Sequence, residues 1–183
     1  MMNTQTDMCV GARYDELTSL VASIAGRPTG EPAATSNANA FVLAEARLLD
    51  LGRYDDWLAG FTHDGVLWVP LTPTSHPGVD QALYLDDRRR LGERAAWRTD
   101  PSAWGQQPAS VCVRTVGTVE AWTDGATTVV SSAIIIDEHR AGRSQHLAGH
   151  QIHELVDHAS SCRTKILLFP ALASGLRNPS FLL

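Results

Sequence analysis

Four of the seven histidines fall in one thirteen-residue stretch, HLAGHQIHELVDH, from His146 to His158, with Glu154 and Asp157 among them. Imidazoles and carboxylates are the donors that hold zinc or non-haem iron, so everything turns on whether the backbone gathers them. On a helix, His146, His150, His153 and Asp157 share one face at i, i+4, i+7 and i+11. That is the pattern of a two-histidine, one-carboxylate iron site. On a strand, with a rise of about 3.3 Å per residue, His146 and His150 stand about 13 Å apart. Two nitrogens bound to one metal lie within roughly 4 Å of each other. His153 would also face the opposite side of the sheet.

The surroundings favour the strand. A hairpin-type turn, RAGR, precedes the segment, and the β-branched run VVSSAIII lies before that turn. Gly149 would cost a helix about 1 kcal/mol. The zinc motif H-E-x-x-H is not met either, because the residue four after His153 is Asp157. We expect histidines alternating across an extended segment, and no metal site.

A second set, Tyr54, Asp55, Asp56, Tyr84, Asp86 and Asp87, could supply acid/base chemistry if some of them lined a cavity. Helix capping and solvated ion pairs explain the same residues more simply. There is no G-x-S-x-G, P-loop or G-x-G-x-x-G pattern. Cys9, Cys112 and Cys162 are odd in number and form no C-x-x-C, which suits a reducing compartment. Neither Cys112, expected mid-strand, nor Cys162, expected at a strand start, has the electropositive setting of a nucleophile. Trp97 and Trp104 lie near the RRR run, and tryptophan and arginine are typical interface anchors.

The elements that would position these residues follow from patterning. The chain has 183 residues, 44% of them apolar, enough for one domain with a real core. A net charge of −5 and a pI near 5.7 argue against a nucleic-acid partner. No apolar run reaches the roughly 18–20 residues a membrane span needs, and MMNTQTDMCV lacks a leader pattern, so the expected location is the cytoplasm. Leu17, Leu20, Val21 and Ile24 predict a short helix over 14–25, followed by a loop through GRPTGEPAATSNAN. We therefore take 1–37 as an N-terminal arm and 38–183 as the main domain. Helices are expected up to Gly52 and from Tyr54 to Gly60, the latter turning Trp57, Leu58 and Phe61 inward. A turn at HDG and a strand VLWVPL follow, then a loop. DDRRRLGERAAWR should be a surface helix with Asp86–Arg90 and Arg89–Glu93 pairs. Four β-branched segments then read as a long antiparallel meander, giving an α+β fold.

The order of landmarks resembles the small (beta) subunits of aromatic-ring-hydroxylating dioxygenases. The resemblance is carried by EARLLDLGRYDDWLAGFTHDGVLWVPL, LYLDDRRRLGERAAWRTDPSAWGQQP, HLAGHQIHEL, and KILLF followed by LRNPSFLL, across roughly residues 38–183. It implies a cone-shaped, nuclear-transport-factor-2-like (NTF2-like) fold, with a curved, mixed but mostly antiparallel sheet wrapped around N-terminal helices. It also implies a non-catalytic structural role in a homotrimer placed against a trimer of alpha subunits (alpha3beta3). The Rieske iron–sulfur cluster and mononuclear iron are then expected in the alpha partner, with no cofactor in this chain. Within such an assembly, Arg88, Arg98, Trp104, Phe181 and Leu182 are the expected subunit contacts. The alternatives left open are a stand-alone cofactor-free isomerase or dehydratase of the same fold, or a small-ligand binding protein.

Overall fold

The computed structural model describes residues 4–174 and residue 176, except the side chains of 4–10, 106 and 173–174. The chain begins with two long helices, α1 (Thr4–Ile24) and α2 (Pro32–Asp50), and a short one, α3 (Tyr54–Ala59). Strands β1 (Phe61–Pro70) and β2 (Ala82–Asp87) lead into helix α4 (Arg88–Thr99). The rest is a meander of β3 (Val111–Asp124), β4 (Thr127–Arg140), β5 (Arg143–Val156) and β6 (Ser161–Leu168). All six strands form one curved sheet in the order β2-β1-β6-β5-β4-β3. Only the β1–β6 pairing is parallel, so the expected mixed, mostly antiparallel α+β sheet is what forms.

Alternation along the strands loads both faces of the sheet. Leu67, Val69, Leu155 and Leu167 point inward and pack with Val42 and Leu49 of α2 and Trp57 of α3. Trp57 and Phe61 meet edge-to-face at 5.0 Å, and Leu58 packs partly buried against the same core. Trp68, Ile152 and Ile166, one residue out of phase, point outward and are covered by Leu17, Leu20, Val21 and Ile24 of α1. Helix α1 is therefore longer than the spacing of its apolar residues predicts and closes a second core on the outer face.

Three local expectations are corrected. The expected loop through residue 39 is helical from Pro32, because proline at a first helical position is preset for helix and has no amide to satisfy. The Glu31 amide, just before it, donates to Ala121 O of β3 at 2.8 Å and fixes that start. HDG is not a turn but an irregular part of β1, where the pairing with β6 shifts register between Phe61 and Val66. Finally, ALYLDD is strand β2, so the two aspartates expected in the first helical turn lie ahead of α4. Pairing with β1 decides that segment, with Tyr84 and Asp86 turned inward and Asp87 capping α4 by accepting from the Arg90 amide at 2.8 Å.

Candidate functional site

The histidine-rich segment is strand β5, as its patterning predicts. His146 and His150 lie exposed on the outer face, and His146 Nδ1 is 2.6 Å from Asp137 Oδ1 of the neighbouring strand. His153 points the other way and is fully buried. His158 follows the strand in a turn. The rings do not converge. Among the described residues, no group of three His, Cys, Asp or Glu side chains could hold a metal ion.

The acid/base candidates are dispersed in the same way. Tyr54 OH accepts from the Arg98 guanidinium at 2.8 and 3.1 Å. Asp56 pairs with Arg53 at the surface, and Asp55 is exposed. Buried Asp86 binds Arg90 at 3.1 Å and also Arg94, whose guanidinium lies 4.1 Å from the centre of the Tyr84 ring. Burial, the largest influence on the Tyr84 phenol, pushes it up to about 12, so it keeps its proton. Burial likewise pushes up the Cys112 and Cys162 thiols, which leaves them poor nucleophiles and poor metal ligands.

What the fold does assemble is a polar cluster inside the cone that sequence patterning misses. Glu45 of α2 sits at its centre, 6% exposed. Its Oε1 accepts from Trp57 Nε1 at 3.0 Å. Its Oε2 is 2.9 Å from His153 Nε2 and 2.8 Å from Lys165 Nζ. The antiparallel register places His153 and Lys165 opposite each other on β5 and β6, so one carboxylate reaches both. Burial alone would raise the Glu45 carboxyl. The Lys165 ammonium and His153 together outweigh it and hold the group well below the usual carboxylate range. Nearby, Gln151 Nε2 donates to Ser132 Oγ at 3.0 Å, both side chains buried. The one signal for this cluster in the sequence is that Lys165 is the sole lysine and stands inside an apolar strand.

A cavity of about 70 Å³ beside Glu45 is lined mostly by Phe41, Leu48, Trp57 and Phe61. Both oxygens of Glu45 are engaged by partners from three other elements, so the carboxylate ties α2 to α3, β5 and β6.

A family model described as the ring hydroxylating beta subunit matches residues 44–168, more than half of the chain. The chain belongs to the ring hydroxylating beta subunit family. Solved structures agree on the fold. The beta subunit of benzoate 1,2-dioxygenase from Burkholderia mallei superposes with a TM-score of 0.65 at 20% identity, covering 85% of this chain and 99% of that one. A naphthalene 1,2-dioxygenase chain gives a TM-score of 0.69 at 19% identity, covering 93% of each. Aln2 from a Streptomyces species is more distant, with a TM-score of 0.57 at 12% identity, covering 80% and 98%. No curated protein matches the sequence. The NTF2-like cone expected of a ring hydroxylating beta subunit is thus the observed fold.

The expected contact residues of this beta subunit differ in exposure. Trp104 is 85% exposed and Trp97 56% exposed, Arg88 is half-buried, and Arg98 reaches inward to Tyr54. Phe181 and Leu182 lie outside the described residues.

Proposed function

We propose that this chain is the non-catalytic, structural subunit of a multicomponent aromatic-ring-hydroxylating dioxygenase, working in aromatic compound degradation. The observation that carries this reading is the family match over residues 44–168. The donor geometry supports it. A Rieske cluster needs paired cysteines and histidines, and Cys112 and Cys162 are buried on different strands, β3 and β6. A mononuclear iron site needs converging histidines, and here His146 and His150 face outward while Glu45 holds His153 on the inner face. The residues described do not fit either group, so we assign both to an alpha subunit. We further propose a homotrimer that supports an alpha trimer as alpha3beta3 in the cytoplasm. No helix among the described residues is long and apolar enough to cross a membrane.

Co-expression with a Rieske-type alpha chain tests the proposal. It predicts a stable complex of both chains, with ring hydroxylation that depends on the alpha chain's metal ligands. An alpha chain that assembles and turns over equally well without this subunit would contradict it.

A further inference from the structure

Polar atoms on the inner face of β5 remain after the cluster is accounted for. His153 Nδ1 and Gln151 Oε1 are both shielded from solvent, and neither has a hydrogen-bond partner among the described residues. Their side chains are 0% and 1% exposed. Residues two apart on a strand share a face, about 6.6 Å apart along it. Both side chains therefore enter the same layer of the core.

The other end of each side chain fixes what a molecule bridging them must do. His153 Nε2 faces the Glu45 carboxylate, which only accepts, so Nε2 carries a proton, and in the neutral ring Nδ1 offers a lone pair. Gln151 Nε2 donates to Ser132 Oγ, which leaves Oε1 as an acceptor. The occupant must donate twice. An anion or a carbonyl compound would fail. A second cation would leave net positive charge in an enclosed cluster where Lys165 already balances Glu45.

We propose that a single buried water bridges Gln151 and His153, donating to Oε1 and Nδ1. Buried water typically makes about three such bonds to groups that would otherwise stay unpaired. It joins two buried pairs into one continuous network, Ser132–Gln151–water–His153–Glu45–Lys165. It also locks His153 as the Nε2–H tautomer that Glu45 requires. If the Gln151 amide is turned over, the same water accepts from it and still donates to His153, so the site survives either amide orientation.

A crystal structure of the full chain, at a resolution that shows ordered solvent, tests this. The expected result is one spherical density peak within about 2.7–3.2 Å of both atoms. Direct contact of either atom with a protein group, or density larger than one water, would overturn the proposal. So would no peak at all. In Gln151→Met, which preserves side-chain length and removes one partner, the peak should vanish. Its persistence unchanged beside His153 would show that Gln151 does not hold it, and the bridge would be wrong. Should that variant fail to fold, the wild-type density alone decides.

Discussion

At the scale of single residues, Glu45 carries the interior. It is the counter-ion of Lys165 and it fixes the ring of His153. Glu45→Gln leaves an ammonium buried without that carboxylate, which typically destabilises by about 3–5 kcal/mol. Denaturant unfolding at neutral pH measures that loss. Its pH dependence has a definite sign. The folded-state carboxyl titrates well below its unfolded value, so the unfolded chain takes up the proton first. The Glu45 contribution is complete above the ordinary glutamate value of about 4.3 and disappears as pH falls beneath it. The stability gap between wild type and Glu45→Gln should therefore narrow on acidification below about pH 4. A gap that stays constant or widens would contradict the assignment. Lys165 was visible in the sequence as a sole lysine, yet its carboxylate lies on a helix far earlier in the chain, and no local pattern links the two. Long-range register, not periodicity, brings them together.

At the scale of elements, Gly149 shows how a residue can matter for a reason other than the one its type suggests. In the sequence it argues against a helix. In the fold it sits on β5 where a Cβ would lie 2.3 Å from Leu168 O and 2.6 Å from the Phe169 ring. The oxygen is backbone and cannot give way without disturbing the end of the β5–β6 pairing. Gly149→Ala should cost about 1–3 kcal/mol or more through overpacking. Gly117→Ala on β3 meets open space and should change thermal stability far less. Equal melting temperatures for the two variants would refute the close-approach argument. The histidine strand and the meander were legible because period-two alternation and turn signals run through both. β2 was not, since six residues next to a helix-forming arginine run carry too little pattern to outweigh it. The start of α2 was hidden by Gly, Pro and Thr in the preceding segment and by Ser36 and the asparagines of its first turns, although Pro32 is well placed as a first helical residue.

At the scale of the whole molecule, one sheet carries two cores, helices α2 and α3 within the cone and α1 outside it. The remaining exposed apolar side chains include Trp97, Trp104, Val111 and Val113. Trp104 contributes little to a fold in which it is 85% exposed. Trp104→Ala should therefore leave unfolding within about 0.5 kcal/mol of wild type while weakening the trimer proposed above. Sedimentation of a fully assembled variant would remove Trp104 from the interface. The family and the cone were legible from landmarks in order along the chain. The oligomeric faces were not, because sequence position does not say which surfaces meet. In the reading proposed above, this chain builds a scaffold and leaves iron to its partner. That claim is tested most directly by the iron and acid-labile sulfide content of the chain purified alone. Far less than one iron per chain is expected after exposure to iron and sulfide under reducing conditions. Stoichiometric iron, lost on His146→Ala or His150→Ala substitution, would contradict it.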